Sequence, residues 1–170
     1  MKKFLINLSM VILVCAPLGG YAKGGNFHMS PETEVQNSSE RIQQVQAAYY
    51  TWVKDLAEAK GNPKHVVKLY ASDAILLPTL SDKIKFNNKD QLAPYFEKLT
   101  SYNQLNVETT LLKTFVSNDV AVNTGTYTFS YMSPDNKLVE LPARFTFVYK
   151  LKGDKTWLIL THHSSALPGE

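Results

Sequence analysis

Cysteine is almost absent from this chain. Its one cysteine, Cys15, lies in an apolar N-terminal segment. No thiol follows it, which excludes disulfides, thiolate metal sites and a cysteine nucleophile from the remainder. Stability therefore has to come from a packed core. Clusters of basic charge are missing too. The formal net charge is +3, but with Lys2 and Lys3 set aside, 16 basic residues face 15 acidic ones. No stretch gathers lysine and arginine on one face with interleaved aromatics, which speaks against nucleic acid as a partner. Long hydrophobic runs are lacking. Residues 4–18 come nearest, but Asn7, Ser9 and Pro17 interrupt them, and the run is short for a membrane span. There is no G-x-S-x-G elbow, no G-x-G-x-x-G loop and no H-R-D segment. Internal repeats and low-complexity tracts are absent as well.

The N-terminus has the layout of a secretory leader. Lys2 and Lys3 form a charged region, an apolar region follows, and Gly20-Tyr21-Ala22 offers small residues at a cleavage site. The expectation is a signal peptide over residues 1–22, export to the periplasm or the medium, and 148 remaining residues, one ordinary domain. A lipoprotein anchor needs a small residue before its cysteine, whereas Val14 precedes Cys15, so no membrane anchor is expected.

Residues 23–37 have no apolar period and read as a flexible tether, with an extra helical turn at Ser30-Pro31-Glu32. A domain is expected over 38–168. Ile42, Val45, Tyr49, Trp52 and Leu56 recur at three- and four-residue spacing, one face of an amphipathic helix capped by Ser38 or Ser39 and ended by Gly61. Asn62-Pro63 starts a short second helix through Tyr70, with Asn as cap and Pro at the first position. Strands are expected at 74–77 and around Ile84 and Phe86. Asn88 and Gln91 suggest a capping box for a third helix, with Pro94 distorting its first turn. From Leu105 the pattern is β. Strands fall at about 106–116 and 120–131, then two long arms meet at a Gly153-Asp154 turn. Three helices and a four-stranded antiparallel meander make an α+β domain. One face of its curved sheet is covered by helices, with a pocket at the open end.

The segments ARFTFVYKL…W…HHSSALP, GNPKHVVKLYASDAILLPT and VAVNTGTYTFSY resemble the association (hub) domain of calcium/calmodulin-dependent protein kinase type II and its bacterial relatives. These belong to the SnoaL-like, or nuclear-transport-factor-2-like, superfamily. The resemblance covers about residues 38–168. It implies a cone-shaped α+β fold whose outer sheet face often builds a dimer. It does not fix a function, since this fold hosts enzymes, binding modules and oligomerisation hubs. In the resembled hub, basic side chains from three strands line the pocket. Their positions fall near Tyr127, Phe147 and Ser164 here, and none is basic. A histidine of the hub pocket falls near Glu108. The hub's affinity for small carboxylates therefore does not carry over, and an acid at 108 would favour a neutral or cationic ligand.

The candidate ligand-binding residues are Trp52, Glu108, Asn123, Tyr127, His162, His163 and Ser164. Period two puts Asn123 and Tyr127 on one strand face and His162 with Ser164 on another. His162 and His163 point to opposite faces, so they cannot chelate one ion together, and His28 and His65 have no ligand spacing. No metal and no cofactor are expected. Phe145 and Phe147 are expected to face the cone and Arg144 the opposite side, paired with Glu140 or a partner chain. Two functions from different classes remain. One is an exported, non-catalytic module that binds an unidentified small molecule or self-associates as a homodimer or larger ring. The other is a small isomerase-, cyclase- or hydrolase-type enzyme using His/Glu general acid–base chemistry. A carboxylate meeting a histidine in a closed cavity favours the enzyme.

Overall fold

The computed structural model describes residues 31–79, 81–153 and 156–168, with side chains from Ser38 onward. The expected leader, its cleavage site and residues 23–30 lie outside the described residues. Helix α1 spans Pro31–Glu58, so the helix takes in residues 31–37 of the expected tether. Ser38 and Ser39 lie inside it and cap nothing. Its apolar stripe is as read: Val45, Tyr49, Trp52 and Leu56 are fully buried. Each such side chain stabilises the fold by roughly 2 kcal/mol, an upper-end figure. Lys60 and Gly61 take left-handed φ values of 45° and 84° and turn the chain out of α1.

Helix α2 is Lys64–Lys68. Pro63, rather than Asn62, holds its cap position, and Asn62 Oδ1 accepts from Lys64 N–H at 3.2 Å in the turn before it. Strand β1, Tyr70–Leu77, begins earlier than expected and takes Tyr70 out of the helix. Strand β2 is Lys85–Phe86, followed by a 3₁₀ turn over Asn87–Lys89. Helix α3 covers Leu92–Thr100. The Asn88/Gln91 box does not form; Gln91 Oε1 accepts instead from Phe86 N–H at 3.2 Å. Pro94 therefore falls in the first turn of α3, where a missing N–H costs nothing.

Four long strands follow: β3 Asn103–Ser117, β4 Val120–Met132, β5 Leu138–Lys152 and β6 Thr156–Ala166. Asn118 and Asn136, with φ of 46° and 57°, serve the first two turns. Of the third turn only Gly153 is described, with φ of 52°. The sheet has six strands rather than four, in the order β2-β1-β6-β5-β4-β3. Strand β1 pairs parallel with β6, Leu76 beside His162, which places β6 inside the sheet.

Of the four register shifts in this sheet, two bear on the site. Between Thr109 and Leu111, β3 carries one residue too many for β4, and between Ile159 and Thr161, β6 does the same against β5. An extra residue bends a strand and reverses which side chains face inward. Leu111 O comes so close to β4 at its bulge that a Cβ on Gly125 would sit 1.9 Å from it, so only glycine fits. α1 lies across the inner face against Phe145 and Phe147, both buried. Arg144 stands exposed on the outer face, and its Nε donates to Ser165 Oγ at 3.2 Å rather than pairing with Glu140.

Candidate functional site

A cavity of about 1070 Å³ opens between the inner face of the sheet, helix α3 and the segment 78–86. The buried Trp52, Leu76, Phe96, Leu105, Tyr127, Phe129, His162 and Ser164 line it, with the half-buried or exposed Tyr95, Tyr102, Tyr131 and Leu141. Its charged lining residues are the exposed Asp82, Lys83, Asp90 and Lys98 and the half-buried Lys85. The interior is thus aromatic and uncharged, and charge is confined to the mouth.

Two hydrogen-bond chains organise the inner end. In the first, Trp52 Nε1–H donates to Tyr70 OH at 3.1 Å, and Tyr70 OH lies 2.8 Å from His162 Nδ1. Where the Tyr70 hydroxyl donates to Nδ1, the imidazole proton sits on Nε2; where Nδ1–H donates, the Tyr70 proton is the one left over. That Nε2 is buried and has no partner among the described residues. The His162 ring stacks on Phe147 at 3.9 Å and meets Trp52 edge-to-face at 5.2 Å, so it cannot swing away. In the second chain, Tyr127 OH donates to Ser164 Oγ at 2.7 Å, and Ser164 Oγ is in close contact with Thr79 Oγ1.

Burial dominates the titration of these groups. It lowers the His162 pKa from 6.5 to about 3, with the neighbouring His163 adding to the effect. It raises the phenols of Tyr70 and Tyr127 well above their usual range and that of Tyr95 to about 12. Every one of these shifts keeps its group uncharged near neutral pH.

The structure gathers four of the seven candidates, Trp52, Tyr127, His162 and Ser164, around this cavity. It does not gather the other three. Glu108 is exposed on the outer face, since Leu105 and Val107 take the inward positions of β3. His163 is exposed on the same outer face. Asn123 does face inward, beside Tyr127 as read, but it serves α1: its Nδ2 donates to Val45 O at 3.2 Å, and its Oδ1 accepts from Thr114 Oγ1 at 2.7 Å. Among the described residues, no carboxylate therefore pairs with an imidazole at this cavity. Among the described residues, no three His, Cys, Asp or Glu side chains come together as a metal site would need.

Sequence reading missed Tyr70, Thr79, Tyr95, Phe129 and Tyr131. Tyr70 was hidden by the apolar run of α2. Phe129 and Tyr131 carried a usable signal, because they continue the period-two row of Asn123 and Tyr127.

A family profile described as calcium/calmodulin dependent protein kinase II association domain matches residues 41–168. The chain belongs to that family. The association-domain protein of known structure from Xanthomonas campestris is 36% identical, with a TM-score of 0.67 over 75% of this chain and 89% of that one. The fold is shared more widely. A Novosphingobium aromaticivorans NTF2-like protein with a cystatin-like fold gives a TM-score of 0.70 at 8% identity, over 86% of this chain and 94% of its own. A ketosteroid isomerase-like protein from Erwinia carotovora gives 0.63 at 14% identity, over 76% and 98%. No curated protein matches the chain. As an association domain, this protein has the expected NTF2-like α+β fold. Tyr127, Phe147 and Ser164 are all buried.

Proposed function

We propose that this association domain is a non-catalytic module that holds a small, uncharged, largely aromatic or aliphatic ligand in its cavity and self-associates through its outer sheet face. His162 is the observation that carries the ligand reading. It is buried, neutral and fixed by Tyr70, and it borders a cavity of about 1070 Å³ with no carboxylate converging on it. A general base works best with a pKa near the operating pH, and a group titrating at about 3 is far from that. An apolar interior with a few placed polar groups is the usual composition of a small-molecule site.

The family's name supports self-association. So does the outer face. Phe115 and Val120 are 62% and 42% exposed, and the register sets Phe115 beside Val122 and Val122 beside Val148 in one apolar row. Packing a second copy there would take this row from water. A leader-directed location outside the cytoplasm belongs to the same proposal.

The test is a thermal-shift screen of neutral aromatic compounds against wild type and Leu105→Trp, a variant that fills the cavity. Hits that stabilise only the wild type are expected. Equal stabilisation of both proteins would place binding elsewhere and sink the reading. For the outer face, light scattering of Phe115→Glu should give a smaller species than wild type. A wild-type monomer at micromolar concentration refutes self-association.

A further inference from the structure

We propose that the cavity takes a neutral amphiphile, an alkyl or aryl alcohol or ketone, apolar end first, and that the phenol hydroxyls of Tyr95 and Tyr131 hold its polar head at the water-exposed end. This rests on the ligand-binding reading above and adds the class and the orientation of the ligand.

The two ends of the cavity differ in how their polar groups are paired. At the inner end they serve one another. Trp52 Nε1 and His162 Nδ1 both meet Tyr70 OH, and Tyr127 OH and Thr79 Oγ1 both meet Ser164 Oγ. His162 Nε2 has no partner among the described residues, but it is sealed by burial and offers a ligand nothing. Burial then falls along the inward row of β4. Tyr127 is 1% exposed, Phe129 is 8% exposed and Tyr131 is half-buried, with the exposed Tyr102 stacked on it at 4.4 Å. Tyr131 lies about 13 Å along the strand from Tyr127. Tyr95 stands on α3 one turn from Lys98, and both border the cavity. Among the described residues, the hydroxyls of Tyr95 and Tyr131 have no hydrogen-bond partner. The enclosed side-chain atoms without a partner are Tyr149 OH, Trp157 Nε1 and His162 Nε2, so these two phenols are open to water and to a ligand. A phenol donates and accepts through one oxygen, so it suits a hydroxyl or a carbonyl alike. Burial, and then Tyr102, push the Tyr95 pKa up to about 12, so this phenol keeps its proton at ordinary pH.

Competing ligand classes fit less well. A wholly apolar ligand would take the two phenols from water without replacing their hydrogen bonds. A ligand polar at both ends would bury one polar group against Leu76, Phe96 and side chains already paired with one another. An anion gains little, because Lys83, Lys85 and Lys98 are exposed or half-buried and share the mouth with Asp82 and Asp90. One apolar body with one neutral head meets the needs of both ends.

Four brominated probes test this by tryptophan quenching: 8-bromooctan-1-ol, 2-bromooctan-1-ol, 1-bromooctane and 8-bromooctanoate. Bromine quenches at short range, and Trp52 borders the cavity whereas Trp157 does not. At saturation of the wild type, bromine at the far end of the alcohol should quench more than bromine beside the hydroxyl. That readout needs no variant to fold. In Tyr95→Phe/Tyr131→Phe, which keeps both rings, 8-bromooctan-1-ol should bind at least roughly 5-fold more weakly, while 1-bromooctane binds as before. The carboxylate should bind the wild type more weakly than the alcohol. Quenching that is equal or stronger with bromine beside the hydroxyl, an unchanged alcohol affinity in the folded variant, or preference for the carboxylate would each overturn the inference while leaving the cavity a ligand site. Binding of none of the four would overturn the ligand-binding reading and this inference with it.

Discussion

Acid should weaken this fold through one side chain, His162. The ring is 3% exposed, stacked between Phe147 and Trp52, and its pKa is lowered from 6.5 to about 3, first by burial and then by His163. In the unfolded chain the same imidazole takes up a proton below about pH 6.5. The folded state refuses that proton until about pH 3. Between those values the unfolded state binds more protons, so stability falls as pH falls, by about 1.4 kcal/mol per unit once well below pH 6.5. From pH 7.5 to pH 4.5 the His162 contribution is on the order of 2–3 kcal/mol. Urea unfolding at these two pH values measures it, with wild type and His162→Phe compared side by side. The carboxylates titrate in both proteins, and their effect cancels in the difference. The wild type should lose on the order of 2–3 kcal/mol more than the variant over this range. A constant stability offset in the variant does not disturb that comparison. If the two proteins lose equal stability, His162 is not held neutral in the core, and the hydrogen-bond chain through Tyr70 is wrong with it.

Other outcomes follow from the same geometry. Tyr70→Phe keeps the buried ring but strands Trp52 Nε1–H and His162 Nδ1, and should cost about 2–4 kcal/mol in urea unfolding. A loss below about 1 kcal/mol would mean the hydroxyl does not join them. Gly125→Ala drives a methyl into Leu111 O, so it should unfold the domain or lower its melting temperature more than Gly61→Ala, where nothing lies within 4 Å. Mass spectrometry of protein recovered from the periplasm or medium should find a chain starting near Lys23. A lipid-bearing Cys15 would contradict that.

Much of the scaffold is legible in the sequence because it rests on local periodicity. The stripe from Val45 to Leu56 needs only the 3.6-residue repeat, and all four of its buried members lie where that repeat puts them. The long strands β3 to β6 follow from alternation and from turn residues such as Asn118 and Asn136. What local patterns cannot carry is the pairing of β1 with β6, a contact between residues some ninety positions apart that depends on how the whole sheet closes. The site suffers most from the bulges. Trp157 and Ile159 point inward, and strict alternation from them would send His163 into the core. The extra residue at Leu160 sends His162 there instead. No local signal marks that residue, so the choice between the two histidines is unreadable without the structure. Glu108 fails for the opposite reason. Its placement rested on the family resemblance rather than on periodicity, and a shift of one residue moves a strand side chain through the sheet.

The position of β6 also has a consequence for how the chain is made. It follows the other five described strands in the chain, yet it lies in the middle of the sheet, with β1 on one side and β5 on the other. Until Thr156–Ala166 has emerged, β1 has no long neighbour, and His162 and Ser164 are missing from the core that α1 and α3 help enclose. Such non-local closure is slow, because the loop entropy is spent before the contacts form.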